Sequence, residues 1–146
     1  MLKSVFRVLI ADDDAGFRKA VGGLLQAHLP TTLLKEASSC QEMLQQLNSV
    51  DLLFLDISVA GENGLELTAR LKSQHPALAV SILTIHDLAE YRQAAFHHGA
   101  DYFVSKGAPA EQILEVVRSA IAGRQARSPK PALSGSSFTP ASPQSL

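Results

Sequence analysis

The stretch Val5-Phe6-Arg7-Val8-Leu9-Ile10-Ala11-Asp12-Asp13-Asp14 decides the fold of this 146-residue chain. Its mostly apolar first part favours a buried strand, and three consecutive carboxylates end that strand abruptly. Other short apolar runs also end on a polar residue: Leu52 to Leu55 on Asp56, Val80 to Leu83 on Thr84, and Tyr102 to Ser105 on Lys106. Such runs are typical of a parallel sheet whose C-terminal edge carries the chemistry.

Amphipathic stretches alternate with these runs and complete five βα units. The spacing of apolar residues predicts helices at about 14–28, after Ser38-Ser39, after the turn at 61–64, and at about 87–98 and 109–122. A further strand is expected at 32–37. Five such units in a row predict an α/β fold, a doubly wound parallel sheet with helices on both faces.

Composition limits the class of protein. A hydrophobic content of 46% with 18% charged residues indicates a soluble globular domain, and no apolar stretch approaches the ~20 residues that span a bilayer. The first four residues lead straight into a strand, so no signal peptide is expected. Cys40 is the single cysteine, which excludes an internal disulfide and favours a cytoplasmic location. Residues 1–123 carry 10 basic and 14 acidic side chains, and this net charge of −4 argues against direct nucleic-acid binding.

The composition changes after Gly123. Residues 124–146 are rich in serine and proline and poor in large apolar side chains. Such a segment buries too little apolar surface to offset its ordering entropy. We therefore expect a domain at 1–123, followed by a linker or disordered tail at 124–146.

The polar strand ends predict one site. Asp14 is suited to cap the first helix, but one cap does not account for three acids, and Asp12 and Asp13 repel each other unless a cation neutralises them. Asp56, Thr84 and Lys106 each have an ordinary structural explanation when taken singly. Because parallel strands bring their carboxyl ends to one edge, the four loops should converge. Carboxylates, a hydroxyl and an ammonium together suit a divalent cation and a phosphoryl group.

These residues resemble the receiver domain of two-component response regulators. Ile10 to Asp14 is similar to its acidic opening, Asp56 to its phosphoacceptor, Thr84 to its hydroxyl, and the stretch from Gly99 to Lys106 to its fifth strand and lysine. The resemblance covers residues 4–122 and implies a flavodoxin-like (βα)5 fold with strand order 2-1-3-4-5. The stretch Ser105-Lys106-Gly107-Ala108-Pro109 is most similar to the LuxR/NarL-type branch of transcription regulators.

The resemblance also implies a mechanism. Asp56 would accept a phosphoryl group from a sensor histidine kinase in a phosphorelay, with Mg²⁺ as cofactor. The metal ligands would be Asp13, Asp56 and the backbone carbonyl of Ser58, with Asp12 holding a metal-bound water. Thr84 and Lys106 would stabilise the transferred group, and Thr84 and Phe103 would form the switch. Such a protein assists its own phosphotransfer and dephosphorylation but is not otherwise an enzyme.

Two departures from the family pattern carry expectations. Val59-Ala60 replaces the usual Met-Pro, which predicts a looser loop after the third strand. Gly107 follows Lys106 where most receivers have proline, so the Lys106–Gly107 bond should be trans.

The expected output is transcription through a downstream helix-turn-helix domain outside this chain. Phosphorylation would release or dimerise that domain, DNA would be contacted only there, and no membrane would be involved. The alternatives are a stand-alone receiver and a receiver-like interaction module that no longer takes phosphate. A flavin-binding protein is disfavoured because three aspartates after the first strand would repel phosphate. A haloacid-dehalogenase-like phosphatase would need a second acid where Ser58 stands.

Overall fold

A five-stranded parallel sheet forms the centre of the molecule. The computed structural model describes residues 5–61 and 63–127. The strands lie in the order β2-β1-β3-β4-β5, and all pair in parallel. They are β1 Phe6–Ala11, β2 Thr32–Ala37, β3 Leu52–Asp56, β4 Ala79–Thr84 and β5 Tyr102–Ser105. The predicted fold class and strand order are confirmed.

Helices cover both faces of the sheet. They are α1 Ala15–His28, α2 Cys40–Gln45, α3 Ile57–Ala60, α4 Gly64–Gln74, α5 Ala89–His97 and α6 Glu111–Arg127. One apolar cluster joins the sheet to α1 and α6, and a second joins its other face to α2, α4 and α5. Alternate residues of β3 point to opposite faces, so Phe54 packs in the first cluster and Leu53 in the second. All of β3 is therefore buried, and its C-terminal residue lies at the middle of the sheet edge.

Two predicted helix ends are confirmed. Asp14 is the N-cap of α1, and its Oδ1 accepts a hydrogen bond from the backbone N–H of Phe17 at 3.2 Å. Gly99 follows the last residue of α5 and its cap, with φ of +102°. This left-handed conformation favours glycine because it has no Cβ.

The loop after β3 is more ordered than predicted. Instead of a loose loop, Ile57–Ala60 form the short helix α3, which ends with the N–H of Gly61 bonded to the carbonyl of Ile57 at 3.2 Å. Asp56 caps this helix by accepting from the backbone N–H of Ser58.

The spacing of apolar residues after Ser38-Ser39 predicts Met43, Leu44 and Leu47 as core positions, and the structure differs at one of them. Met43 is buried as expected, but the predicted core residue Leu44 is 48% exposed. Leu47 is buried although it lies beyond the end of the helix. Cys40 and Met43, three residues apart on α2, face the core, and Leu44 lies on the other side of the helix.

The last helix runs past the expected domain boundary. α6 continues through Gly123 to Arg127, so residues 124–127 are helical rather than part of a linker. Arg124 Nη1 lies 3.0 Å from Asp51 Oδ2 and 3.1 Å from the carbonyl of Val5, and its guanidinium lies over the Phe6 ring at 5.0 Å. These contacts join the helix to the N-terminal edge of the sheet. Residues 128–146, where the rest of the expected linker falls, lie outside the described residues.

We expect Arg124→Ala to lower the free energy of unfolding by about 1–2 kcal/mol, because a charge-assisted hydrogen bond and a cation–π contact are lost. Urea unfolding followed by circular dichroism measures this. The control is Arg118→Ala, which removes an exposed pair with Glu111 at 3.6 Å and should change stability by less than about 1 kcal/mol. Equal effects of the two substitutions would show that Arg124 does not fasten α6.

The N-terminus of α2 makes stability depend on pH. Glu42 accepts hydrogen bonds from the N–H and hydroxyl of Ser38 at 2.7 and 3.0 Å, and these bonds lower the pKa of Glu42 below its ordinary value. A carboxylate with a lowered folded-state pKa stabilises above its unfolded pKa and loses that contribution as pH falls through the folded value. Glu42→Gln should therefore destabilise at pH 7 but have little effect once the wild-type carboxylate is protonated. Urea midpoints of both proteins at pH 7 and pH 3 test this, and an equal difference at both would contradict it.

Over the described residues, none of the helices is long and apolar enough to cross a bilayer.

Candidate functional site

The strand register brings the predicted site residues to one edge of the sheet. Ala11 on β1 pairs with Leu55 on β3, so the next residues, Asp12 and Asp56, lie side by side at the C-terminal edge of the sheet. On the other side, Asp56 pairs with Leu83, and Thr84 pairs with Ser105. Lys106, which follows Ser105, donates its backbone N–H to the carbonyl of Thr84 at 2.8 Å. The convergence inferred from the sequence is therefore a consequence of parallel pairing.

Asp56 ends β3 and lies at the centre of the site. It is only 3% exposed. Its Oδ1 accepts hydrogen bonds from the backbone N–H and the hydroxyl of Ser58, both at 3.0 Å. Its Oδ2 lies 3.3 Å from Lys106 Nζ. Ser58 thus holds one carboxylate oxygen of Asp56, and the other oxygen faces the ammonium of Lys106.

The acids after β1 have different environments. Asp12 is fully buried, and its Oδ1 accepts the backbone N–H of Asp14 at 2.9 Å. Its Oδ2 lies 2.7 Å from Lys106 Nζ, but that approach lacks hydrogen-bond geometry, so this buried oxygen has a charged neighbour and no directed donor. Asp13 is exposed. One carboxylate oxygen from each of Asp12, Asp13 and Asp56 lies within 4.8 Å of the others.

Burial and pairing set the charges of the site. Burial raises the pKa of Asp12, and the neighbouring ammonium of Lys106 only partly offsets this. Burial would also raise the pKa of Asp56, but the hydrogen bonds from Ser58, together with the contacts with Asp12 and Lys106, outweigh it and the pKa is lowered. Burial would lower the pKa of Lys106, yet the contacts with Asp12 and Asp56 raise it. Asp56 is consequently ionised and Lys106 protonated at neutral pH.

The donor set fits a hard divalent cation. Three carboxylates in one cluster with a single ammonium leave an excess of negative charge, and Mg²⁺ is bound through carboxylate oxygens. Asp12 Oδ2, which is buried and accepts no hydrogen bond, has lone pairs left for a cation. Asp12, Asp13 and Asp56 could therefore hold the metal.

The predicted switch residues lie beside this cluster. Thr84 is 1% exposed, and its Oγ1 accepts the backbone N–H of His86 at 2.9 Å. Phe103 on β5 is turned inward and only 7% exposed. Its ring meets Tyr91 edge-on, with centroids 6.2 Å apart. Among the described residues no peptide bond is cis, so the Lys106–Gly107 bond is trans as predicted.

Two neighbours of the site were not identified from the sequence. Arg18 Nη1 donates to the carbonyl of Asp12 at 2.7 Å, while its Nε pairs with Glu36 at 2.8 Å. Arg18 lies one turn after the cap Asp14, and that spacing is the signal that could have placed it above the acidic loop. Phe17 places its ring 4.8 Å from Lys106 Nζ and borders an apolar cavity of about 210 Å³.

The sheet order and this acidic site define a class of protein, and comparison with known proteins agrees. Residues 8–118 match the family described as response regulator receiver domain. The match covers most of the chain, which therefore belongs to this family.

Curated relatives include two kinds of regulator. The chain is 31% identical over 120 residues to the oxygen regulatory protein NreC of Staphylococcus haemolyticus. It is 33% identical over 118 residues to the transcriptional activator protein ExaE of Pseudomonas putida. Each match covers 80% of this chain but 55% of the relative, so the chain spans about half the length of these proteins. The name of the second relative agrees with the predicted transcription-regulator branch.

Solved structures share the fold. A CheY-like receiver domain protein from Methanospirillum hungatei superposes with a TM-score of 0.73 at 21% identity, covering 84% of this chain and 98% of that one. The response regulator RcsB of Salmonella typhimurium gives a TM-score of 0.75 at 18% identity, covering 83% of this chain and 62% of that one. A response regulator from Burkholderia pseudomallei, solved with a phosphorylated aspartic acid, calcium ion and citrate, gives a TM-score of 0.65 at 22% identity. The superposition covers 85% of this chain and 75% of that one.

Proposed function

We propose that the domain accepts a phosphoryl group on Asp56 from a sensor histidine kinase and passes the signal to an output. One observation carries the proposal: Asp56 is a buried carboxylate with an ammonium 3.3 Å away and two further carboxylates in the same cluster. A purely structural aspartate would not need these acids around it. The solved structure with a phosphorylated aspartic acid is a precedent within this fold.

The transfer uses the chain's own charges. An oxygen of ionised Asp56 attacks phosphorus, the new O–P bond forms, and the P–N bond of a phosphohistidine breaks with its electron pair leaving on the imidazole. The lowered pKa of Asp56 keeps the nucleophile ionised at neutral pH. Lys106 places a fixed positive charge where negative charge spreads over the phosphoryl oxygens.

A cation would complete the site. Asp12, Asp13 and Asp56, with the backbone carbonyl of Ser58, are the proposed ligand groups. When bound, Mg²⁺ would offset the repulsion between the attacking carboxylate and the incoming anion. The same residues would assist hydrolysis of the aspartyl phosphate, so the domain would influence how long its own signal lasts.

Thr84 and Phe103 form the proposed switch. The Thr84 hydroxyl accepts a hydrogen bond from His86, and its own hydrogen can be donated to a phosphoryl oxygen on Asp56. Rotation toward that oxygen would change the space beside Phe103 and so bias the packing of α5, β5 and α6.

The proposed output is transcription. The relatives of about twice the matched length include a transcriptional activator, which supports a further domain beyond the receiver. We propose that residues 124–146 lead toward a helix-turn-helix domain, with α6 providing the first four of them. DNA would be bound only by that domain, phosphorylation would favour a homodimer, and the protein would act in the cytoplasm.

Label transfer tests the proposed function. The full chain is incubated with radiolabelled acetyl phosphate, with Mg²⁺ or with a chelator, and label on the protein is counted. We expect stoichiometric labelling with Mg²⁺ and background labelling with the chelator. Absence of label with Mg²⁺, in protein shown to be folded, would favour the alternative of a receiver-like interaction module that does not take phosphate.

A further inference from the structure

A guanidinium covers the proposed switch aromatic. The Arg92 guanidinium carbon on α5 lies over the Phe103 ring, 4.6 Å from its centroid. Arg92 Nη2 also pairs with Asp87 Oδ1 at 3.0 Å. Asp87 belongs to the segment between β4 and α5, three residues after Thr84. One arginine therefore touches both the ring and the segment that follows the proposed switch hydroxyl.

We propose that Arg92 is a positioning residue for the switch, holding Phe103 inward and coupling that ring to the Thr84 segment. This rests on the proposed role of Thr84 and Phe103. Arg92 lies outside the acidic, phosphoacceptor, hydroxyl and lysine positions that resemble the receiver family.

The contacts form a continuous path. The hydroxyl oxygen of Thr84 accepts the His86 N–H at 2.9 Å, so rotation of Thr84 toward a phosphoryl group takes the acceptor away from His86. Asp87 is the next residue, and its carboxylate carries the displacement to Arg92 through the 3.0 Å ion pair. Arg92 then shifts over the Phe103 ring. In this proposal each contact is made in one state and broken in the other, as a two-state switch requires.

The energetics favour a control function over a structural one. The side chains of Arg92 and Asp87 are 43% and 47% exposed, and such an ion pair adds little to folding stability. Its effect is geometric, because it holds the guanidinium over the ring. A cation–π contact at a half-exposed site is weak enough to be broken by a ligand-induced movement and strong enough to bias a population severalfold.

Fluorine NMR measures the position of Phe103 directly. The full chain is labelled with 4-fluorophenylalanine, the Phe103 resonance is assigned by its loss in Phe103→Leu, and its exposure is read from the shift between H₂O and D₂O. In metal-free, phosphate-free protein, we expect Arg92→Ala to raise the outward population of Phe103 about fivefold. Asp87→Asn should act in the same direction but less, and the double variant should equal Arg92→Ala alone.

Two controls separate this effect from general loosening. Phe96 lies on α5, as Arg92 does, and is 44% exposed. Its fluorine resonance should stay unchanged in every variant. Arg118→Ala removes an exposed arginine of α6 and should leave Phe103 unchanged. An unchanged Phe103 resonance in folded Arg92→Ala, or a double variant whose effect is the sum of the single ones, would overturn the proposal.

A second measurement distinguishes failure of this inference from failure of the proposed function. Mg²⁺ and beryllofluoride are added to wild type and to Asp87→Asn. We expect the Phe103 resonance to respond in wild type and to respond less in Asp87→Asn, because the path is cut at Asp87. A full response in Asp87→Asn would overturn the coupling. No response in wild type would instead contradict the proposed switch role of Phe103 if the protein takes label from acetyl phosphate, and the proposed phosphoryl site if it does not.

Discussion

Asp56→Asn is expected to abolish phosphoryl acceptance, reducing label from acetyl phosphate with Mg²⁺ to background. The physical reason is that an amide lacks the anionic oxygen that attacks phosphorus. The substitution is nearly isosteric, and the amide oxygen can still accept the two hydrogen bonds that Ser58 donates to Oδ1. The loop after β3 should therefore keep its structure. Counting of protein-bound label, with folding checked by circular dichroism, measures the effect.

Asp51→Asn is the matched control, because Asp51 immediately precedes the same strand at its opposite end. It should be labelled like wild type. Label that survives in Asp56→Asn, and is lost only when another acid is replaced, would move the acceptor to that residue. Label that does not diminish with a chelator would remove the metal from the reaction.

Lys106→Ala is expected to slow labelling by about 10²–10³-fold, the cost of removing one preorganised charge that stabilises a transition-state anion. Mg²⁺ affinity should stay the same or increase, because the ammonium 2.7 Å from Asp12 and 3.3 Å from Asp56 competes with a cation for those oxygens. Label kinetics and titration of Mg²⁺ by calorimetry give the two quantities separately.

The same substitution should make stability depend on metal. Without Lys106, the buried Asp12 loses its charged neighbour, and we expect the metal-free protein to lose about 1–3 kcal/mol. Saturating Mg²⁺ should recover most of this loss, because it binds the folded state. Lys106→Met, which keeps the aliphatic length beside Phe17, should show the same metal-dependent stability as Lys106→Ala. Lys35→Ala, at an exposed lysine, should have the stability of wild type. A collapse of Mg²⁺ affinity in either Lys106 variant would show that Lys106 supports the metal site instead of competing with it.

Several features of this fold were predictable because they depend on local chemistry. Asp14 caps α1, and Gly99 takes the left-handed conformation after α5, since each residue type suits its position whatever surrounds it. The short helix α3 was not predictable in this way. Its cap is nonetheless a local contact, in which the carboxylate of Asp56 accepts the N–H of Ser58 two residues later; what depends on tertiary structure is that β3 ends at Asp56, where its pairing with β4 stops.

The sequence by itself determined the alternation of strands and helices and the polar residue at the end of each central strand. Parallel pairing then requires Asp12, Asp56, Thr84 and Lys106 to share one edge, so most of the proposed site was predictable. Only the tertiary structure decided the environment of each group. Burial separates Asp12 from exposed Asp13, and Arg92 reaches the Phe103 ring from another element. Such contacts depend on side-chain direction and distance between segments far apart in the chain, which periodicity along the chain does not encode.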